Sequence, residues 1–360
     1  MRGYIFGAKS IAITTCRAVR ALHRDFYIEG FLVTSLENNP YEIDGLPVKE
    51  VKTAAQRMTE QEKRRVRVWI AVPDDVQSQA KELLRRYGFM DFVPVDACME
   101  SRLLEQYYGQ RGMFPSVHEL QSGEGMPGIS VYAAKFCRDK KLSVPPVFPD
   151  YVRSILLGCS GNPSKSLAEG ADFCDNAGEH ISEKNPNYCE LTAFYWIWKN
   201  ALKNPEDYVG VYHYRRSLDI SENDLKRMEK NGVDVVLPYP LIHLPDIREH
   251  HTRYVKEEDW EAAIAALQEI HPEYAARYEE IFSQPYFYNY NLILAKERVF
   301  ADYCAWLFPV LFRTEELSKP KGKERRDRYL AYMSESLFTF YFLYHQNDLN
   351  IRHTGRRMFV

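Results

Sequence analysis

The stretch YVGVYHYRR, Tyr208 to Arg216, decides how this chain folds. Its first five residues are aromatic or β-branched around a single glycine, the composition of a buried strand. It then runs directly into His213, Tyr214, Arg215 and Arg216, so an apolar strand delivers three potentially cationic side chains to one sheet edge. In open α/β sheets ligands bind beyond the carboxyl ends of strands, and arginine suits a diphosphate because its guanidinium donates two parallel hydrogen bonds. A structural reading, arginines paired with Asp219 or a nearby Glu, stands beside it. Just upstream lies HISEKNPNYCELTAFYWIWKN, His180 to Asn200. Asn185 as N-cap with Pro186 at the first helical position predicts a helix to Asn200, with Leu191, Phe194, Tyr195 and Trp198 on one core-facing stripe. Lys184, Asn185 and the free N–H groups of the first turn would form an anion site, unless Lys184 is simply solvated.

Working outward, short apolar runs alternate with helical patterns. Strands are expected at Tyr4–Ala8, Ile28–Thr34 and Val66–Val72, with helices at Ser10–His23 and Asp75–Tyr87. That order argues for a parallel sheet with crossover helices. The turn Gly7-Ala8-Lys9-Ser10 places Lys9 where a dinucleotide fingerprint has its second glycine, which suggests either a modified phosphate pocket or a scaffold without cofactor. Residues 99–128 show no clear periodicity and read as a linker. Beyond them come strands at Ile129–Ala134 and Val233–Leu237, a helix around Trp260, a Tyr-rich strand region PYFYNYNLIL, and helices flanking the basic loop Lys319 to Arg328. The expected organisation is α/β, with a Rossmann-like unit at 1–98, a linker at 99–128 and a second α/β unit at 129–360.

The 360 residues carry 47 Lys plus Arg against 50 Asp plus Glu, a formal charge of −3, which excludes a polybasic nucleic-acid binder. With 45% hydrophobic residues the chain can bury a sizeable core, yet no apolar stretch reaches the roughly 18–20 residues of a membrane span. The N-terminus lacks the apolar region of a secretory signal, and the seven cysteines show no metal-ligand spacing. A cytoplasmic protein with free thiols is expected. The aromatic share, 14%, is high enough to supply sugar-stacking faces as well as a core.

ISEKNPNYCELTAFYWIWKN, YVGVYHYRR, DVVLP, YNLIL and the Cys304-Ala-Trp-Leu-Phe segment carry a resemblance. From about Ile129 the chain resembles a bacterial family long catalogued as a domain of unknown function, found in capsular and exopolysaccharide biosynthesis and including galactofuranosyltransferases. The resemblance implies a GT-A-like glycosyltransferase domain using a UDP-sugar donor and a glycan or lipid-linked acceptor; the basic loop Lys319 to Arg328 leaves open a place at the inner face of the membrane for this cytoplasmic protein. GFLV (Gly30–Val33) and IDGLPV (Ile43–Val48) resemble the N-terminal domain of sugar acyltransferases and nucleoside-diphosphate-sugar epimerase-like proteins. Departures from the family's pattern, at Glu179-His180, at Glu335-Ser336-Leu337 and at Lys135 to Arg138, keep open a non-catalytic nucleotide-sugar or glycan-binding module.

For sugar transfer the expected roles are as follows. Arg215 and Arg216, with Lys184, Asn185 and His213, meet the donor diphosphate. No Asp-x-Asp stands at the strand end, so a divalent metal (Mn or Mg) is either dispensable or held through His213. Glu335 is the first choice of base and Asp234 the second, although each could instead serve a salt bridge or turn. Tyr214, Asn289, Asn291 and Arg328 are candidates for sugar or acceptor contacts. The basic loop could hold a lipid-linked pyrophosphate, touch an anionic membrane surface or be merely solvated.

Overall fold

The computed structural model describes residues 1–161, 170–321 and 324–359. The chain is α/β and builds two main sheets. In the first, strands β1 (Arg2–Phe6), β2 (Tyr27–Val33), β3 (Glu42–Ile43), β4 (Leu46–Glu50), β5 (Arg67–Ile70) and β6 (Asp91–Pro94) lie in the order β3-β4-β2-β1-β5-β6. All pairs are parallel except β3 with β4. The chain leaves β1 toward β2 on one side and returns to β5 on the other, so strand order reverses beyond the carboxyl end of β1. Helix Ser10–Leu22 begins there and buries Ile11, Ile13, Cys16 and Val19.

The second sheet comprises β7 (Ile129–Phe136), β8 (Val152–Leu157), β9 (Phe173–Cys174), β10 (Tyr208–His213), β11 (Arg216–Leu218), β12 (Val235–Pro238), β15 (Ile293–Lys296), β16 (Ile351–Thr354) and β17 (Arg356–Met358). Its central order is β16-β12-β15-β10-β7-β8-β9, with β11 and β17 attached beside β10. Strands β7, β8 and β10 are mutually parallel, and β15 is antiparallel to its neighbours. Strand order reverses again at β7, which has β8 on one side and β10 on the other. A small antiparallel pair, β13 (Leu241–Ile242) and β14 (Tyr286–Phe287), completes the set.

Several expected elements form where the periodicity puts them, within a residue or two; three do not. Residues 99–128, read as a linker, contain most of the helix Ala97–Gly109, whose Leu103, Leu104, Tyr107 and Tyr108 are buried. The expected helix from Pro186 to Asn200 breaks into Asn185–Tyr188 and Leu191–Asn200, with Cys189 between them at φ +47. The PYFYNYNLIL run is not one strand: it feeds β14 and β15 in different sheets, and Tyr290 and Asn291 take left-handed backbone at φ +78 and +47.

The aromatic surplus is chiefly core. Helices Glu297–Leu317 and Tyr329–Tyr344 bury Tyr303, Trp306, Phe338, Phe340 and Phe342 against one another. Tyr195 and Trp198 also lie in this packing, with Trp198 stacked on Phe308 at 5.9 Å. The first core is not closed by its own residues: Tyr239, Leu241 and Ile242 join it. The amide of Ile242 donates to Thr14 Oγ1 at 2.7 Å, and Tyr108 Oη donates to the Pro240 carbonyl at 2.8 Å. Among the described residues no helix is long and apolar enough to cross a membrane.

Gly7, the residue after β1, has φ +119, and a Cβ there would sit 2.5 Å from the Ala71 carbonyl oxygen at the end of β5. Gly7→Ala is expected to destabilise the chain by about 1–3 kcal/mol. A urea titration of the variant against the parent checks this.

Candidate functional site

Because both sheets reverse their strand order at carboxyl ends, both places are open to ligand, and they face each other across one cleft of about 1600 Å³. Gly7 to Ile11, Val33 to Ser35 and Ala71 to Pro73 form one wall. Ala134, Phe136 to Asp139, Leu157, Gly158 and His213 to Arg216 form the other. Lys9, Arg138, Arg215, Arg216, Arg253, Arg326 and Arg328 line it, against Glu37, Asp139, Glu183, Glu190 and Glu335. A chain that is net negative overall therefore carries a cationic excess in its cleft.

The end of β10 supplies the densest group. Arg215 donates to Asp75 Oδ2 of the opposite wall at 3.1 Å, and its Nε is buried without a partner. Arg216 lies over the Tyr290 ring, 4.3 Å from its centroid, and also keeps a buried, unpartnered Nε. His213 differs from the expectation of a third cation. Burial, and then the charge of Arg216, pull its imidazole down to about 3, so it is neutral, with Nε2 buried and unpartnered. Arg328, exposed and at φ +62, caps helix Tyr329–Tyr344 and faces the same space; Arg326 lines it as well. Arg325 of the basic loop turns inward to Asp259 at 2.7 Å. Gly322 and Lys323 of that loop lie outside the described residues.

Of the expected site residues, Asn185, His213, Tyr214, Arg215, Arg216, Asn289, Arg328 and Glu335 line the cleft. Three do not. Lys184 is the N-cap of the short turn, and its Nζ donates to Glu315 Oε2 at 2.6 Å. Asn185 is then the first helical residue and donates to the Cys189 carbonyl at 3.1 Å. Asp234 lies at the start of β12, the far end of the sheet from the cleft, where it accepts from the Asn350 amide at 2.9 Å and pairs with Arg298. Asn291 is wholly buried behind the cleft wall and donates to Glu190 Oε1 and Ser334 Oγ, both at 2.9 Å.

The carboxylate at Glu190 escaped the sequence reading because it sits inside what looks like one helix. Glu335 has its own partner, with Oε2 3.2 Å from Nε2 of the buried His250. Behind this cluster, the buried Asp175 accepts from the amides of Gly158 (2.8 Å) and Cys159 (3.1 Å), from Ser182 Oγ and from Thr192 Oγ1. It thereby ties the end of β8 to the helix that carries Glu190. Among the described residues no group of three or more His, Cys, Asp or Glu side chains could hold a metal ion. The ligand set at the β10 end is one neutral imidazole beside two guanidinium groups, which does not suit a divalent cation.

No curated protein matches the chain. Among solved structures it is similar to the apo structure of WbbM, a bifunctional glycosyltransferase, at 24% identity and a TM-score of 0.53, covering 64% of this chain. This chain spans 45% of that structure, and at such identity the likeness is one of fold. RSP in complex with β-NADH aligns at 14% identity and a TM-score of 0.22 over 26% of this chain and 45% of that one, too low for a shared fold. Residues 140–347, more than half of the chain, match the family described as a domain of unknown function, DUF4422. By that match the chain belongs to the DUF4422 family.

Proposed function

We propose that the chain is a glycosyltransferase, a hexosyltransferase that moves a sugar from a nucleoside-diphosphate donor to a growing surface polysaccharide or lipid-linked glycan. The observation that carries the reading is the group of guanidinium side chains at the carboxyl end of β10, with buried Nε atoms that lack partners, beside a cleft large enough for two substrates. Buried polar groups are almost always satisfied, so unpartnered donors at a cleft wall suit an anionic ligand. The shared fold with a bifunctional glycosyltransferase supports the reaction class. On the resemblance noted above, the donor is UDP-galactofuranose.

In this reading Arg215, Arg216 and Arg328 meet the diphosphate as negative charge develops on the leaving group. His213, being neutral, contributes a hydrogen bond and no charge. Asn289, whose Oδ1 is buried without a partner, and Tyr214 face the sugar. Lys9 and Arg253 line the wall nearer the first sheet, toward the acceptor. Transfer proceeds without a metal, because cationic side chains occupy the place where one would act. Of the basic loop's described cations, Arg326 and Arg328 line the cleft and Arg325 is held in an ion pair with Asp259, while Lys319 and Lys321 are exposed and free to meet an anionic surface.

Calorimetric titration of the full chain with UDP, followed by assay of UDP release from UDP-galactofuranose and UDP-galactopyranose, tests this. Saturable UDP binding and transfer that persists in EDTA are expected. Absence of UDP binding rejects the donor assignment. Binding without turnover across glycan acceptors supports the non-catalytic module instead. Lys184→Ala is expected to leave UDP affinity within about twofold of the parent, since Lys184 is already paired with Glu315 outside the cleft.

A further inference from the structure

The transfer reaction proposed above needs a group to take the acceptor proton, and two carboxylates, Glu190 and Glu335, face the cleft close enough to influence each other. Their supports differ. Glu335 is already engaged by His250, whose ring stacks on Phe287 at 4.2 Å. Glu190 follows Cys189, a non-glycine residue in left-handed backbone, an arrangement that persists only where the surroundings over-determine it. Opposite stands Asn291, also left-handed and wholly buried, which spends both amide hydrogens on Glu190 Oε1 and Ser334 Oγ. Two uncommon backbone conformations thus converge on holding one carboxylate at the cleft wall.

We propose that Glu190 is the general base, anchored through Oε1 by Asn291, which Ser334 holds in turn, and that Glu335 with His250 is a positioning pair beside it. The step balances as follows. The acceptor O–H gives its proton to the Glu190 carboxylate while the acceptor oxygen bonds to the anomeric carbon. The bond from that carbon to the diphosphate oxygen breaks, its electron pair leaves with the nucleoside diphosphate, and Arg215, Arg216 and Arg328 meet the charge. The proton then passes to solvent. A direct displacement of this kind inverts the anomeric centre.

The electrostatics agree with the geometry. Withdrawal from water pushes the Glu190 carboxyl up to about 7, against the lowering hydrogen bond of Asn291; Glu335 raises it further and Arg328 lowers it. Of the neighbouring titratable groups, burial pushes the Cys189 thiol up to about 12 and the Tyr303 phenol well above its usual range. A base with its midpoint near neutral pH is effective for proton transfer.

The test compares Glu190→Gln and Glu335→Gln in the full chain. Both are nearly isosteric, and the amide oxygen of Glu190→Gln can still accept from Asn291. UDP binding is read by calorimetry, UDP release from UDP-galactofuranose plus acceptor as a function of pH, and carboxyl titration by carbon NMR of glutamate-labelled protein. Glu190→Gln is expected to bind UDP normally, to lower kcat about 10²–10⁴-fold and to lose the acid limb of the profile. Glu335→Gln is expected to retain measurable transfer with the acid limb moved to lower pH, because a like charge has been removed. Near-normal kcat in Glu190→Gln, or loss of the acid limb in Glu335→Gln alone, overturns the assignment. If the parent neither binds UDP nor transfers sugar, the transferase reading fails by itself. The NMR titration then decides: a Glu190 midpoint near neutrality that falls in Glu335→Gln sustains a tuned proton acceptor, and a midpoint in the ordinary carboxylate range overturns it.

Discussion

Replacing Arg215 and Arg216 together by alanine is expected to weaken UDP binding by at least about a hundredfold. Each hydrogen bond to a charged group contributes about 1.5–3 kcal/mol, so losing two removes about 3–6 kcal/mol, and each 1.4 kcal/mol is tenfold in affinity. The fold should tolerate the change. Arg215 gives up only a partly exposed pair with Asp75, worth about 0–1 kcal/mol, and Arg216 gives up its contact with the Tyr290 ring. Arg216→Lys separates charge from shape: it keeps the cation but loses the planar fork and the stacking, so an intermediate affinity is expected. Added salt should weaken the parent more than the double variant, because screening acts on the charges that have been removed. Unchanged UDP affinity in the double variant would place the donor elsewhere.

Arg356→Ala is expected to lower stability by about 3–5 kcal/mol, measured by urea denaturation. Arg356 in β17 donates from Nε and Nη2 to the two oxygens of Glu100 in helix Ala97–Gly109, both at 3.1 Å; the Glu100 side chain is buried and that of Arg356 is only 10% exposed. Burial pushes the Glu100 carboxyl upward, while the guanidinium beside it opposes that shift. Without Arg356 the carboxylate must either stay charged and unpaired or take up a proton, and both cost folding free energy. The double change Glu100→Leu with Arg356→Met should recover most of the loss, since a well-packed apolar pair of similar volume replaces the ions. A deficit under about 1 kcal/mol for Arg356→Ala would show that water reaches the pair.

The parts of the site legible in the sequence are those set by local pattern. An apolar strand running into Arg215 and Arg216 announces both its burial and the side on which its cations emerge. Asn289 and Glu335 were reachable by the same route, through their aromatic and helical surroundings. What was hidden depends on partners far along the chain. Nothing near Lys184 indicates that Glu315 will claim it, and nothing near Asp234 indicates which end of its sheet faces the cleft. Periodicity runs unbroken from Pro186 to Asn200, with no Gly or Pro at the break, so the turn at Cys189 that exposes Glu190 follows from tertiary packing. Tyrosine-rich sequence around Asn291 reads as strand by propensity, and only the buried bonds to Glu190 and Ser334 explain its left-handed backbone. The neutrality of His213 likewise follows from burial, which a motif does not display.

The first core's dependence on Tyr239, Leu241 and Ile242 bears on how the chain is made. At about 5–20 residues per second, on the order of ten seconds or more separate the emergence of β6 from that of these three residues. During that interval the helices Ser10–Leu22 and Ala97–Gly109 have no cover over part of their apolar surface. The nascent chain therefore passes through a period in which a nearly finished sheet carries a sticky flank, the kind of surface that chaperones hold and that aggregation exploits. Its stretch from Tyr239 to Ile242 acts as a late-arriving seam, joining the early half of the molecule to the half that builds the opposite wall of the cleft.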